Sequence, residues 1–319
     1  MKKVLAVMLL VGVTTGVVAT AGYGKSHKTW KVTLLQGVRG DEFYISMACG
    51  AKSAAAKLGV SLDVQGAAKW DAGLQIPVVD AIIAKKPDAL LIAAVDSKAL
   101  VAPLKQAKAA GIKIVEVDQE VADKSISVSK IASNNLLGGA TAAKALAGLT
   151  GSKGEWLVIN VKPGIFATDL RQKGFEQQIK KYAGAKYLGT QFDDDDAAKA
   201  ASIMSAELAA HPNLNGVFGT NLFSAEGAAT GARNAGKGSQ VKIVGFDAGP
   251  AQVQQLKKGQ TQALVAQKPF DIGFQAVQQA VAALTGKPVK ARIQTGLLIV
   301  TKKNIDQPNV SKYLYKSSC

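Results

Sequence analysis

The chain has 319 residues, of which 48% are hydrophobic and 19% charged, a composition of folded rather than disordered proteins. At roughly 100–200 residues per domain this length predicts two domains. Two cysteines and two histidines exclude a disulfide-dense scaffold and the four-cysteine and three-histidine zinc sites, and the formal charge of +16 raises the question of an anionic partner.

Residues 1–21 read as a secretory signal peptide. Lys2 and Lys3 precede the apolar segment Val4–Val13, and Ala19-Thr20-Ala21 fits small-x-small cleavage. Gly12, Thr14, Thr15 and Gly16 interrupt the run, so the roughly 18 unbroken apolar residues of a spanning helix are not available. The expectation is a secreted protein with no stable membrane insertion after cleavage. An oxidising compartment favours pairing of Cys49 with Cys319 over two free thiols.

Past the leader, strands and helices alternate. The first half predicts strands at Lys31–Gln36, Val60–Gln65, Ala89–Ala93, Lys113–Val117 and Val128–Ala132. Helices at Phe43–Leu58, Leu74–Lys86, Ala99–Ala110 and Leu136–Leu149 follow them, several stopped by Gly. The second half predicts strands at Trp156–Val161, Lys186–Gln191, Val217–Thr220, Val241–Phe246, Ala263–Ala266 and Leu297–Val300. Its helices are Asp169–Tyr182, Ala197–Ala210, Ala225–Asn234, Ala251–Lys258 and Ile272–Thr285. The polar tail from Thr301 to Cys319 is expected to wrap the surface. This alternation argues for βαβ units and an α/β fold with parallel sheets. Two sheets of five or six strands, split near Ser133-Asn134, fit better than a single large one.

Ligands of open α/β sheets bind beyond the carboxyl ends of the strands. The polar residues after the apolar runs are Asp118, Asn221, Asp247 and Gln267. Arg171 follows the EWLVINV run, and Asp41, Phe43 and Tyr44 follow the first strand. Carboxylates accept from neighbouring hydroxyls, Arg donates in a planar fork, amides do both, and aromatic faces cover C–H surface. The set suits a small polyhydroxylated ligand. Singly, each residue also has a plainer role: Asp and Asn221 as caps, Arg171 as a solvated helix charge.

Six segments make the sequence recognisable: DEFYISMACGAKSAAAKLGV (41–60), ASNNLLGG (132–139), LRQKGFEQQI (170–179), VFGTN (217–221), VGFDAGP (244–250) and VAQKPFDIG (265–273). In this order the chain resembles the periplasmic sugar-binding proteins of the ribose-binding type, which feed ABC importers. The resemblance implies two Rossmann-like lobes joined by a three-crossing hinge, near Ser133-Asn134, Gln267-Lys268 and Gly296-Leu297. It divides the chain into an N-terminal lobe (30–133 plus 268–296), a C-terminal lobe (134–267 plus 297–303) and a tail (304–319). It implies ligand contacts at Asp41, Phe43, Tyr44, Asp118, Gln119, Arg171, Asp195, Asn221, Asp247 and Gln267. Asp41, Gln119 and Asp195 depart from the ribose pattern, which has Asn, Arg and an aromatic residue there. Another pentose, a hexose or a linear polyol therefore fits as well as ribose. The implied protein is a monomer that captures sugar by hinge closure and delivers it to an ABC transporter permease, with no catalytic residues, cofactor or metal.

Two other functions compete with this reading: the same fold binding an autoinducer-like or chemotaxis ligand, and a secreted α/β enzyme. No G-x-x-x-x-G-K-[ST] or G-x-S-x-G motif is present, and neither His27 nor His211 is placed as a base. Asp193–Asp196 lack the EF-hand spacing and read as acids ahead of a helix. The lac-type repressors share the two-lobe core but begin with a DNA-binding helix-turn-helix, where this chain has its leader. Lys105, Lys108, Lys113, Lys180, Lys181, Lys257 and Lys258 are spread as on a solvated surface, so no nucleic-acid partner is expected.

Overall fold

The computed structural model describes Met1 and residues 28–319. The expected leader and His27 lie outside the described residues. In chain order the elements begin β1 (Lys31–Gln36), α1 (Glu42–Leu58), β2 (Ser61–Gly66), α2 (Ala72–Lys85), β3 (Ala89–Ile92), α3 (Val101–Ala109), β4 (Lys113–Val117) and β5 (Ser129–Ser133). There follow α4 (Asn135–Thr150), β6 (Lys153–Asn160), α5 (Phe166–Ile179), β7 (Gly184–Phe192), α6 (Ala197–Ala210), β8 (Leu214–Gly219), α7 (Leu222–Asn234) and β9 (Lys242–Phe246). The chain closes with α8 (Pro250–Lys257), β10 (Ala263–Ala266), α9 (Pro269–Leu284), β11 (Arg292–Thr295), β12 (Leu298–Val300) and α10 (Pro308–Ser311).

These elements form two lobes, each with a six-stranded sheet, in the orders β11-β5-β4-β3-β1-β2 and β12-β10-β9-β8-β6-β7. All pairs are parallel except β10 with β12. The chain crosses between sheets after β5, after β10 and between β11 and β12. The two orders superimpose strand for strand, so β4 and β9 occupy the same place in their sheets, and so do β5 and β10. Within each sheet the order reverses next to the first strand, and the crevice at such a switch point is where ligands bind.

Helices cover both faces of each sheet, which is why the central strands are continuously apolar rather than alternating. Leu90, Leu91 and Ile92 of β3, like Val217 and Phe218 of β8, are fully buried. Where helices meet closely, glycine lets the backbones touch. A methyl group at Gly139 of α4 would lie 1.7 Å from the carbonyl oxygen of Arg171 on α5. One at Gly50 of α1 would lie 1.9 Å from the Phe270 carbonyl on α9.

Two features depart from the sequence reading. Strand β11 has no apolar run, because RIQT is an edge strand whose side chains are mostly solvated. The tail does not simply wrap the surface. Ile305, Val310 and Tyr315 are buried in a core cluster that draws residues from both sheets. The Tyr315 amide donates to the Ala248 carbonyl at 3.0 Å. The next residue, Lys316, donates its amide to Ser46 Oγ on α1 at 2.8 Å. The chain end is bonded to the same helix by the Cys49–Cys319 disulfide. The tail thus touches one lobe and is tied to the other.

Two outcomes follow. Cys319→Ser removes a crosslink that closes nearly the whole chain, and a loss of about 2–4 kcal/mol in urea unfolding is expected; an unchanged midpoint contradicts the tether. Gly139→Ala forces α4 off α5 against a backbone atom, with an expected loss of about 1–3 kcal/mol in the same measurement.

Candidate functional site

The carboxyl ends of both sheets face one cleft, as expected of ligand sites in open α/β sheets. All ten residues expected to contact ligand line it, together with Trp70, Val161, Ile165 and Thr168.

The first lobe supplies the loop after β1 and the turn after β4. Asp41 caps α1, its carboxylate accepting the Phe43 amide at 2.7 Å. The cap and the cleft position coexist in this residue. Phe43 and Tyr44 are buried and meet edge to face, their centroids 5.1 Å apart. The Tyr44 hydroxyl donates to Asp118 Oδ2 at 2.9 Å, and Gln119 Nε2 donates to the same oxygen at 3.0 Å. Asp118 adopts φ 62°, a left-handed conformation that costs a non-glycine residue energy and recurs at functional sites. Its turn is clamped from behind. Glu116, fully buried, accepts the Val121 amide at 2.8 Å and pairs with Lys130 at 3.4 Å. Glu120 pairs with Lys130 at 3.4 Å and with Arg292 Nη2 at 2.7 Å.

The second lobe mirrors this arrangement. Asp247 follows β9 as Asp118 follows β4, and it too is left-handed, with φ 77°. The Asp118 amide donates to Ile131 of β5, and the Asp247 amide to Val265 of β10. Asp247 Oδ1 accepts from Gln267 Nε2 at 2.7 Å and from the Tyr315 hydroxyl at 2.8 Å. Asn221 caps α7 through Oδ1, while its Nδ2 donates to Asp195 Oδ1 at 2.6 Å. The plainer cap role and the cleft role again coincide. Arg171 is no solvated charge: it is 3% exposed. Its guanidinium lies 3.8 Å above the Phe246 ring, Nε donates to Asn135 Oδ1 and Nη1 to the Thr220 carbonyl. Nη2 is left for the cleft. Asp196, last of the four acids, caps α6 by accepting two amides.

Two hydrogen bonds span the lobes. The Ala167 amide of α5 donates to Gln119 Oε1 at 3.0 Å, and Lys162 Nζ donates to the Trp70 carbonyl at 3.3 Å. The described conformation is therefore closed.

Closure puts acids opposite one another. Burial pushes the Asp41 carboxyl well above its usual range, and Asp247 and Asp195 of the other lobe add to the shift. Burial raises Asp118 to about 6, partly offset by Arg171. Burial raises Asp195 to about 7, even against its bond from Asn221. Asp118 Oδ1, Thr168 Oγ1 and Gln267 Oε1 are buried with no hydrogen-bond partner. Among the described residues, no group of three or more His, Cys, Asp or Glu is arranged to hold a metal ion.

Trp70, Val161, Ile165 and Thr168 carry no strand-end signal: Val161 ends an apolar run as an apolar residue itself, and the other three lie in loops or a helix away from the strand ends. Tyr315 carries no local signal, because a tail folding back between lobes has no periodicity.

The raised carboxyls give stability a definite pH dependence. Their folded pKa exceeds the ordinary value near 3.9, so the folded form holds protons that the unfolded chain has lost. The contribution of these three carboxyls to stability is then full below about pH 4 and declines as pH rises toward about 7. For the ligand-free protein, the thermal midpoint should fall between about pH 5 and about pH 7.5, and less steeply in Asp195→Asn. An identical slope in the variant contradicts the assignment.

Residues 32–288 match the family described as periplasmic binding protein domain. The ribose import binding protein of Escherichia coli K12 is 32% identical over 272 residues, spanning 85% of this chain and 90% of that protein. A D-apiose import binding protein of Paraburkholderia graminis is 31% identical, over 73% of this chain and 75% of its own. Among solved structures, an ABC transporter solute-binding protein from Agrobacterium vitis, bound with α-D-tagatopyranose, is 43% identical with a TM-score of 0.89. That alignment covers 90% of this chain and all of the other. A second, from Agrobacterium radiobacter with D-arabinose, is 29% identical with a TM-score of 0.86, over 91% of this chain and all of its own. With a matching family profile, matching relatives and a twinned-lobe cleft, the chain belongs to the periplasmic binding proteins of the ribose type, the sugar-binding components of ABC importers.

Proposed function

We propose that the protein captures one small sugar or polyol between its lobes and delivers it to an ABC importer. It acts in the periplasm after removal of residues 1–21, as a monomer, and by binding rather than catalysis. No helix among the described residues is long and apolar enough to cross a membrane.

The observation that carries this is the convergence of side chains from both lobes on one cleft. Asp41, Phe43, Tyr44, Asp118 and Gln119 come from one side, and Arg171, Asp195, Asn221 and Asp247 from the other, with Gln267 at a crossing. Only the closed state offers a ligand both sets, so binding shifts the population toward closure. The chemistry fits hydroxyl groups. Carboxylates accept from them, Arg171 Nη2 donates to ring or hydroxyl oxygens, and Phe43 and Tyr44 cover C–H faces. A micromolar affinity needs about −8 kcal/mol, which several charge-assisted hydrogen bonds supply after desolvation. Pentoses, hexoses and alditols all fit the cleft's chemistry.

Arg171 balances acids that are otherwise buried together, so its removal leaves them without a donor. Calorimetry on the tightest-binding sugar of a pentose, hexose and alditol panel should show Arg171→Ala weakening affinity by tenfold or more. A smaller loss contradicts the role given to Arg171. Turnover of the bound sugar would instead favour an enzyme.

A further inference from the structure

We infer that the C-terminal tail completes the sugar site, with Tyr315 as a positioning residue that holds the Asp247 carboxylate toward the ligand. This rests on the proposed function and adds a residue to the same cleft.

The two lobes hold their strand-end acids in the same way. Asp118 Oδ2 accepts from one phenol, Tyr44, and from one side-chain amide, Gln119. Asp247 Oδ1 accepts from one phenol, Tyr315, and from one side-chain amide, Gln267. In the first lobe the phenol comes from α1, the helix that follows β1. The equivalent helix of the second lobe is α5, which follows β6 and contains no tyrosine. The missing half of that clamp comes from the tail instead.

The tail is built to deliver this hydroxyl. Ahead of it, Ile305 and Val310 are buried in the core cluster. The Tyr315 amide is bonded to the carbonyl of Ala248, the residue after Asp247. Directly beyond, Lys316 is bonded to Ser46, and Cys319 closes on Cys49. Tyr315 is therefore fixed from both sides. Its hydroxyl uses both its functions, accepting the Gln267 amide at 3.1 Å and donating to Asp247 at 2.8 Å. Its ring meets Phe43 of the other lobe edge to face, with centroids 5.8 Å apart. One residue thus backs an acid of one lobe and an aromatic ring of the other.

The effect on binding follows from the carboxylate. The χ2 torsion of aspartate is broad, so nothing intrinsic aims its two oxygens. Two donors on Oδ1 fix the carboxylate plane and leave Oδ2 for a sugar hydroxyl. Hydrogen bonds to an ionised acceptor are the strong ones, and a group ordered before the ligand arrives binds without the cost of ordering it. Phenylalanine at this position would leave Oδ1 with Gln267 alone.

The test is calorimetry on the purified protein with D-ribose, D-arabinose, D-tagatose and D-allose, then with monodeoxy analogues of the tightest binder. Tyr315→Phe keeps the ring beside Phe43 and loses only the hydroxyl, and its affinity should fall at least fivefold. Tyr313→Phe, on the same tail but flanked by Lys268 and Lys312, should bind as the wild type does. The deoxy series is a comparison within each folded protein, so a change of stability does not mimic it. In Tyr315→Phe the penalty for removing one particular hydroxyl should shrink severalfold, while the penalties at the others persist. Wild-type affinity in Tyr315→Phe, or an unchanged pattern of deoxy penalties, overturns the inference and leaves the proposed function standing. Binding of none of the four sugars by the wild type overturns both.

Discussion

Closure of the lobes forces like charges together, and much of the structure answers to that constraint. Asp41 of one lobe faces Asp195 and Asp247 of the other, and Asp118 also feels Asp247. In an open form these carboxyls would be hydrated. Closed, they are desolvated and repel; burial first, and like charge second, raises the carboxyls of Asp41, Asp118 and Asp195. Two cross-lobe hydrogen bonds, from the Ala167 amide and from Lys162, are modest against such a cost. A ligand rich in donors, seated between the acids, changes the balance. Cleft chemistry and lobe motion are then one phenomenon: the acids proposed to recognise the ligand are the ones that closure desolvates.

The surrounding scaffold holds those acids where they cannot relax. Asp118 and Asp247 occupy equivalent strand ends in left-handed conformations, pinned by equivalent backbone bonds to the next strand. Behind Asp118, the Glu116–Lys130–Glu120–Arg292 network ties the turn to β5 and to β11, the strand before the last crossing. Behind Asp247 stands Tyr315, whose hydroxyl accepts from the Gln267 amide and donates to the carboxylate. The disulfide ties the tail that supplies Tyr315 to α1, the helix that also presents Phe43 and Tyr44.

Much of this was legible in sequence because the signals are local and repeated. Apolar runs alternating with helices stopped by Gly marked nearly every element, and the bounds of β1, β4, α6 and β10 are those expected. Polar residues after the runs led to Asp118, Asn221 and Asp247, since strand ends in a doubly wound sheet share one edge. Other features required three dimensions. The edge strand β11 is polar, so no apolar run announces it. Tyr315 and Trp70 reach the site from segments without periodicity. Asn221 and Asp41 looked like helix caps, and they are caps; one amide or carboxylate serves both the helix and the cleft.

The central claim is that acids from opposite lobes keep the empty protein open and that a donor-rich sugar closes it. Small-angle X-ray scattering at neutral pH measures this directly. The account predicts a larger radius of gyration without ligand than with the tightest-binding sugar, and contraction of the empty protein when the acids are protonated near about pH 5. An identical radius with and without ligand, at both pH values, would contradict it.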